Sequence, residues 1–390
     1  MATTPITTPI FGAGESYYVP HFEVKVGGKN LDPMVIRDIM QVTYRDKIGE
    51  LDSVELTINN WDAQLQKPKY EPPSKPAYEK MFDPGKTLDL VMGYAGNAKS
   101  DRLMLSGEIT TLDPVFPESG PTTLTVRALS RLAKYRKKQH SFAWYNLYDT
   151  QIAQKICQSK VTDNKPGLDI GFDPNPSYES HETKNPYVFM DTQYDIVFLL
   201  ERARRNGYSL NITSDPNTGK DVLSFKPSDQ IKAVTYELAW GVSLCDFHPT
   251  LTTANQISKV TVRAWDGKAG RPIEGSAIYQ DLKINRDLLS AARVIEGREE
   301  VITDRPVYSK DEAKALARSI MANQLYEMVK ATGSTVGLPD LRAGCRVSIK
   351  KLGPRFSGSY FVTETTHTFG DNGYRTSFGA RRESPEGSAS

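Results

Sequence analysis

The sequence predicts a mainly β fold in which a small mixed α/β insertion separates two related β-barrel or sandwich domains. Apolar and polar residues alternate with a period of two through most of the chain, helical spacing is concentrated in the middle, and one hairpin-like unit occurs twice. Period-two alternation is typical of strands with one buried face, whereas helices repeat apolar residues every three to four positions. Together these patterns favour two β domains around an insertion.

Composition limits the classes of function. The chain has 390 residues, enough for about two to three domains, and 49 basic against 47 acidic residues leave a net charge of +2. Such a balance gives no global field that would favour a nucleic acid or membrane partner. The three cysteines are far apart without a CxxC pair, so we expect neither a zinc site nor a disulfide framework. The start lacks a signal-peptide pattern, so we expect the protein to be made and kept in the cytoplasm.

The first β domain is expected over residues 19–135. The preceding residues 1–18 are rich in Thr, Pro and Gly and are predicted to form a flexible arm. Val24 and Val26 alternate with polar neighbours, as do Leu88 and Leu90. The proline-rich stretch KPKYEPPSKPAYEKMFDPG cannot form a regular element, because proline lacks a backbone donor, so we expect an excursion on the surface.

The mixed α/β insertion is expected over residues 136–231. DTQIAQKIC places Ile152 and Ile156 one helical turn apart, and TQYDIVFLLERARRNGY has the cap and apolar stripe of a helix.

The second β domain is expected over residues 232–382, followed by a disordered tail at 383–390. It contains one predicted helix at 309–331, because Ser309 and Glu312 form a capping box before an apolar stripe.

Two segments have the same order of parts. LSGEITTLDPVFPESGPTTLTVR and FSGSYFVTETTHTFGDNGYRTSF each show Ser-Gly, an alternating strand, a Gly-containing turn and a Thr-rich strand. Laying one on the other without a gap superposes Gly107 on Gly358, Ile109 on Tyr360, Thr111 on Val362 and Thr125 on Thr376. Upstream, Leu88 and Leu90 match Val347 and Ile349. Any two hairpins preceded by glycine would align similarly, but the order of three matching strands favours duplication.

The closing run resembles the end of the phage late control protein D family, the tail hub proteins. Its pattern is an early Gly-x-Pro, a Gly before an alternating strand, a Ser-Gly-x-Tyr strand, a His, and a Gly-Tyr-x-Thr strand ending at Arg. The matching positions are Gly337, Pro339, Gly344, Ser357, Gly358, Tyr360, His367, Gly373, Tyr374, Thr376 and Arg381. FLLERARRNGY and VRAWDGKAG are similar to further parts of the family, so the likeness extends from about Phe22 to Arg382.

This resemblance implies two tube-type β-barrel domains in a homotrimeric hub at the tip of a contractile tail or injection device. Three such chains present six similar barrels, which could match both a sixfold and a threefold partner. The implied partners are a hexameric inner tube protein, a trimeric spike protein, baseplate wedge components, and a cargo or tape-measure protein in the lumen. Fused spike proteins continue into an OB-fold and a β-helical needle. This sequence stops soon after Arg382, so we expect neither domain and a separate spike polypeptide. Whether the particle is a phage virion or an injection system stays open.

Catalytic motifs are missing from the sequence. It has no HExxH, GxSxG or GxxxxGK[ST] motif, and no GxGxxG that follows a predicted strand. The spacing of the acidic residues does not single out a carboxylate pair for glycoside cleavage. We therefore expect no enzymatic activity, no metal and no cofactor. A peptidoglycan-degrading tail enzyme and a glycan-binding tail-tip module are the alternatives.

One basic cluster stands beside an aromatic stretch. RLAKYRKKQH could be a solvated face, contact an acidic partner, or line a lumen through which nucleic acid or cargo passes. In SFAWYNLYDT the aromatic residues could stack on bases, but at a domain junction such residues more often fill a core or a subunit interface, and the interface is favoured here. The candidate interface or lumen residues are Arg131, Lys134, Arg136, Lys137, Lys138, Trp144 and Tyr145.

Overall fold

The computed structural model describes residues 19–71, 78, 80–95, 97–160, 162–182, 184–206, 208–214, 221–227, 235–252, 257–266, 270–278, 298–304, 307 and 309–382. The predicted flexible arm at 1–18 and disordered tail at 383–390 lie outside these residues. Within them, the mainly β prediction is confirmed, because strands dominate and join into one 13-stranded sheet and several small ones. No described helix is both long and apolar enough to cross a membrane.

The first strand set alternates buried and exposed side chains as its sequence predicts. Val54, Leu56 and Ile58 face a core that also contains Leu88 and Leu90. Its elements are β1 (Pro20–Val26), β2 (Lys29–Asn30), α1 (Pro33–Asp38), β3 (Ile39–Lys47), β4 (Ser53–Asn59), β5 (Trp61–Asp62), β6 (Lys67–Pro68), β7 (Thr87–Tyr94), β8 (Asn97–Val115) and β9 (Thr123–Ser130).

The middle of the chain has the predicted mixed α/β character. Ile152 and Ile156 on one helix pack with Ile196 and Leu199 on another in a separate core, as their helical spacing predicts. The elements are a 3-10 helix (Arg131–Tyr135), β10 (Gln139–Leu147), α2 (Asp149–Gln158), β11 (Gly171–Pro174), α3 (Tyr178–His181), β12 (Asn185–Tyr194), α4 (Asp195–Arg205), β13 (Tyr208–Ser214) and β14 (Asp221–Pro227).

The second strand set has a third core, in which Val347 and Ile349 lie beside Tyr360 and Val362. Its elements are β15 (Thr235–Ala239), β16 (Leu244–Leu251), β17 (Lys259–Asp266), β18 (Arg271–Ile278), β19 (Glu299–Ile302), α5 (Lys310–Tyr326), β20 (Val329–Val336), β21 (Arg346–Lys350), α6 (Gly353–Phe356), β22 (Gly358–Gly370) and β23 (Gly373–Arg382).

Helix α5 is shorter than the predicted 309–331. Its start agrees, since the Glu312 N–H donates to Ser309 Oγ at 3.2 Å. The last predicted residues belong instead to β20, in which Val329 and Ala331 are buried on either side of exposed Lys330. The apolar spacing therefore changes from a helical to a strand period within a few residues, and pairing with β16 and β23 fixes the strand.

Two sets of six strands have the same neighbour order. The first runs β3-β4-β9-β8-β7-β1, and the second runs β16-β20-β23-β22-β21-β15. Equivalent strands occur in the same order along the chain in the two sets. Four of the five neighbour pairs are antiparallel in both sets. The exception is the last pair, because β1 is antiparallel to β7 whereas β15 is parallel to β21.

The equivalent hairpins share a bulge. One residue, Thr110 in β8 and Thr363 in β22, is left out of each ladder, and its hydroxyl donates to the facing strand at 3.4 Å and 3.1 Å respectively. The residue just before each bulge, Ile109 or Val362, accepts a hydrogen bond from a glycine in a nearby loop. These glycines, Gly85 (φ +90) and Gly344 (φ +94), are both in the left-handed region. The two hairpins are therefore built on the same plan.

The bulge corrects the register predicted from sequence. With the two bulges matched, Ile109 is structurally equivalent to Val362 and Gly107 to Tyr360. These equivalences differ by two residues from those of the ungapped sequence alignment. The alignment matched the two Ser-Gly pairs, but strand pairing places Gly358 opposite Ile349, where the first set has Leu105 opposite Leu90. The upstream match of Leu88 and Leu90 with Val347 and Ile349 agrees with this pairing.

The two sets join edge to edge. The first part of β22 pairs with β21 and its second part pairs with β3, so the sheet continues from one set into the other. The described strands form no closed barrel, and the predicted barrels are thus open sheets within one chain.

Candidate functional site at the junction of the two strand sets

The junction of β3 and β22 is the place where the two sets contact each other most directly. His367 pairs with Tyr44 across the ladder, and Phe369 pairs with Val42. Side chains also cross the junction, because Tyr374 and Phe369 of the second set pack in the core of the first. The two sets therefore share backbone pairing and apolar packing, which is a rigid form of connection.

A buried ion cluster lies beneath this ladder. Arg342, in the loop before β21, is 7% exposed, and its Nε donates to Asp46 Oδ2 at 2.9 Å. Its Nη2 donates to Tyr44 Oη and to the Met104 carbonyl, and Asp52 Oδ2 lies 3.6 Å from the same nitrogen. Burial alone would lower the pKa of the guanidinium, but Tyr44 and the two carboxylates outweigh this and raise it. Arg342 thus stays charged and ties its loop to β3.

His367 fixes the same loop from the other side. Its Nε2 lies 2.9 Å from the Leu341 carbonyl, which can only accept, so Nε2 carries the proton. Its Nδ1 then accepts from Tyr374 Oη at 2.9 Å or Thr376 Oγ1 at 3.1 Å. Burial lowers the pKa of His367 to about 4, so the ring is neutral near pH 7. Both nitrogens are occupied by structural hydrogen bonds.

The remaining signature residues occupy turns and close contacts of the second strand set. A Cβ on Gly337 would lie 2.1 Å from the Tyr374 ring, so only glycine fits there. Gly358 and Gly373 have φ of +139° and +79°, values that favour glycine. Tyr360 donates to the Phe356 carbonyl at 2.8 Å. Pro339 is buried in the loop that leads to Arg342.

The basic cluster lies between the first strand set and the insertion. Lys134 is 2.6 Å from Asp221, Lys138 is paired with Asp163, and Arg131 is 3.9 Å from Asp89. The guanidinium of Arg136 lies over the Tyr194 ring, and Lys137 lies over Tyr135. Each of the five cations thus has a partner within the chain, and whether they also contact a lumen or another subunit stays a prediction.

The aromatic stretch divides between a core and an internal contact. Trp144 is 5% exposed and stacks on Phe198 in the core of the insertion, so it does not provide the accessible interface surface that the sequence predicted. Tyr145 is half-buried, and its ring meets Tyr187 edge-on at 5.3 Å where the insertion packs against the second strand set. These aromatic contacts lie within the chain, and a subunit contact by Tyr145 stays a prediction.

Sequence reasoning missed the central ion cluster. Arg342 and Asp46 are 296 residues apart, and neither belongs to a motif. The one available signal was Arg342 in the run GLPDLRAGC, where Asp340 is the only other charged residue, next to the signature residues. Within the described part of the chain, no group of three His, Cys, Asp or Glu side chains could hold a metal ion.

Comparison with solved structures identifies the fold as that of phage tail proteins. The 43 kDa tail protein of prophage MuSo2 from Shewanella oneidensis matches with a TM-score of 0.58 and 14% identity, covering 93% of this chain and 98% of that one. A tail protein from Neisseria meningitidis MC58 matches with a TM-score of 0.57 and 12% identity, covering 94% and 97%. These neighbours confirm the predicted resemblance to tail proteins at the level of the fold.

The family is shown by sequence. The chain matches the model described as Alg8 N-terminal domain over residues 16–371, and it belongs to that family. No curated protein matches it.

Proposed function

We propose that the protein is the structural hub of a contractile tail or injection particle, in which three copies form a pseudo-sixfold ring. The observation that carries this proposal is the repeated strand order, including the shared bulge at Thr110 and Thr363. A chain with two equivalent units can form a ring of six units from three copies. Such a ring matches a hexamer on one face and a trimer on the other.

In this proposal the two strand sets, within residues 19–135 and 232–382, act as tube-type units that complete barrels only in the assembled ring. Residues 136–231 form the domain between them, a division supported by the three separate cores. The hexameric inner tube protein docks on one face and the trimeric spike protein on the other, with baseplate wedge components outside and cargo or tape-measure protein in the lumen. Assembly takes place in the bacterial cytoplasm before incorporation into the particle.

The proposed role is mechanical and not catalytic. At the junction His367 is neutral and hydrogen-bonded at both nitrogens, and Tyr374 packs in the core of the first strand set. Polar groups arranged in this way hold the two strand sets in a fixed arrangement, as a ring subunit requires.

Light scattering coupled to size exclusion tests the hub proposal. We expect a mass near three times 43.5 kDa at micromolar concentration, alone or on addition of the tube or spike protein of the same particle. A monomer that stays monomeric with both proteins contradicts the proposal. Incubation with purified peptidoglycan is the second arm, and turnover abolished by changing one carboxylate would replace the hub role with an enzymatic one.

A further inference from the structure

The small sheet β18-β17-β19 has one face covered by helix α5 and one face turned away from it. A Cβ on Gly275 of β18 would lie 2.8 Å from Ala313 Cβ of the helix, and Val262, which pairs with Gly275, is fully buried. Side chains alternate along a strand, so the odd-numbered residues of β17 point away from the helix. These outward residues are Lys259, Thr261, Arg263 and Trp265.

Two ion pairs lie on this outer face. Arg263 stands opposite Glu274, and its Nε is 3.4 Å from Glu274 Oε2. Lys259 stands opposite Glu299, and its Nζ is 2.9 Å from Glu299 Oε1. All four side chains are about half exposed, and their charges sum to zero. The face therefore offers hydrogen-bonding groups without the net positive charge that attracts a nucleic acid.

Trp265 is the most exposed large apolar side chain in the described part of the chain, at 67%. It stands opposite Pro272, which is also exposed. Side chains opposite each other across two strands have Cβ atoms about 4.5–5.5 Å apart, so the indole and the proline ring form one apolar end of the face. The other exposed apolar residues of this face, Val301 and Ile278, lie beyond the row of Arg263 and Glu274.

This arrangement is the reverse of that in a protein interface. Protein interfaces have an apolar centre that is depleted in charged residues and surrounded by a polar rim. Here charged side chains lie between the apolar ones, so the described residues of the face form no continuous apolar patch. A ligand that needs one flat apolar contact and several hydrogen bonds fits this face better than a protein does.

We propose that this face binds a neutral saccharide chain, with one sugar ring stacked on Trp265 and its hydroxyl groups bonded to Arg263 and Glu274. The C–H bonds on the flat side of a pyranose ring pack against the electron-rich face of an indole. A sugar hydroxyl both donates and accepts, a guanidinium only donates and a carboxylate only accepts, so the ion pair can bond two neighbouring hydroxyls. The site adds a binding function to the proposed hub and does not depend on the number of copies.

The second ion pair extends the site along the strand. Lys259 is four residues from Arg263, which corresponds to about 13 Å at the rise of a strand. Thr261 Oγ1 donates to Glu299 Oε1 at 2.6 Å. This hydrogen bond and the neighbouring Lys259 lower the pKa of Glu299, so its carboxylate is ionised and held in place before a ligand arrives. Two polar pairs at this separation provide contacts for more than one sugar unit.

Calorimetric titration of the full chain with two soluble oligosaccharides tests the site. The probes are hexamers of β-linked glucose and of β-linked N-acetylglucosamine, and stacking on Trp265 should also shift tryptophan emission to shorter wavelength. We expect at least tenfold weaker binding for Trp265→Ala and at least threefold weaker binding for Glu274→Ala. Both side chains are exposed, so the unfolding midpoints should not change. Trp61→Ala is the matched control, since Trp61 is 44% exposed on β5 outside this face, and its affinity should stay within twofold.

Two further arms identify the source of the saccharide. The protein is sedimented with purified peptidoglycan sacculi and, separately, titrated with the purified O-polysaccharide of lipopolysaccharide. Binding to either source that Trp265→Ala loses and Trp61→Ala keeps supports the inference. Equal weakening by both substitutions, or no saturable binding to any of the four probes, overturns it.

A protein partner at this face gives a different result. If Trp265→Ala prevents trimer formation while no saccharide binds, the face is a contact between copies. That outcome overturns the inference and leaves the hub proposal intact. Saccharide binding by a chain that stays monomeric with tube and spike protein supports the inference and contradicts the hub proposal.

Discussion

Arg342 and Asp46 form a buried ion pair that connects the loop before β21 to the first strand set, with Nε and Oδ2 2.9 Å apart. The partners of Arg342 include Tyr44 and the Met104 carbonyl, so its removal leaves several buried groups without a hydrogen bond. Breaking a buried pair by removing one partner costs about 3–5 kcal/mol. We expect Arg342→Met to lower the free energy of unfolding by this amount in urea titration.

The matched control for this prediction is an exposed pair in the same sheet. Arg127 Nε lies 3.1 Å from Glu55 Oε2, but half of the Arg127 side chain is exposed. Exposed pairs contribute about 0–1 kcal/mol, because solvent screens them. We expect Arg127→Gln to change the free energy of unfolding by less than about 1 kcal/mol. Equal effects of the two substitutions would show that the Arg342 cluster does not hold the junction.

His367 predicts a pH dependence of stability. Burial lowers its folded pKa to about 4, below the ordinary value of 6.5, so between these values the unfolded chain binds a proton that the folded chain does not. The free energy of unfolding therefore falls as pH falls from about 6.5 to about 4, by roughly 3 kcal/mol in total. Below the folded pKa this contribution stays lost. Denaturant titrations at several pH values measure the slope.

The control for this prediction is His367→Gln, which cannot titrate in this range. Carboxylates elsewhere also affect stability between pH 4 and 6.5, so the difference between the two slopes isolates His367. We expect the variant to be less stable at pH 7 and to have a flatter profile. Parallel profiles for the two proteins would show that His367 does not carry a depressed pKa.

Local patterns in the sequence predicted strands and helices well. Burial of one face of an element makes its apolar residues recur at a regular spacing, which a few neighbouring residues are enough to show. Val54, Leu56 and Ile58 are one example, and Ile152 with Ile156 is another. The junction could not be predicted in this way. Asp46 and Arg342 come together only through the pairing of β3 with β22, and no local spacing records a contact between strands so distant in sequence.

The repeat was visible in sequence, but its register was not. Gly107 and Gly358 matched by residue type, whereas their structural positions differ by two residues. A bulge places one extra residue in a strand, and no particular residue type marks that position. The sequence therefore did not show that Thr110 and Thr363 are left out of their ladders. The sequence alignment therefore followed glycine identity and not strand pairing.

Gly337 predicts a steric effect at the signature loop. A Cβ there would lie 2.1 Å from Tyr374 Cγ, deep in the first core, and the ring has little room to move. We expect Gly337→Ala to destabilise the protein by about 1–3 kcal/mol, in the range of overpacked cores. Gly370→Ala is the control, since its Cβ would meet atoms no closer than 3.5 Å. Thermal unfolding of both variants, with only Gly337→Ala shifted, is the expected result.

The three cysteines predict a simple thiol titration. Burial raises the pKa of Cys157 to about 12 and that of Cys345 to about 11, whereas Cys245 is exposed. Because the thiolate is the reactive form, we expect one fast thiol per folded chain with a disulfide reagent at pH 8, and three after denaturation. Cys245→Ser should remove the fast phase. A fast phase that persists in this variant would show that a buried site opens readily.

Gly85 and Gly344 test whether the two strand sets are equivalent in energy as well as in topology. Both have φ near +90°, and their N–H groups donate to the residue before the bulge, at 2.8 Å to the Ile109 carbonyl and 2.9 Å to that of Val362. An alanine at such a φ is strained by about 1–3 kcal/mol. We expect Gly85→Ala and Gly344→Ala to destabilise the protein by similar amounts in urea titration. Their effects should add in the double variant, because the sites have no common partner. A large cost at one glycine and none at the other would mean that the common geometry is maintained by different forces in the two sets.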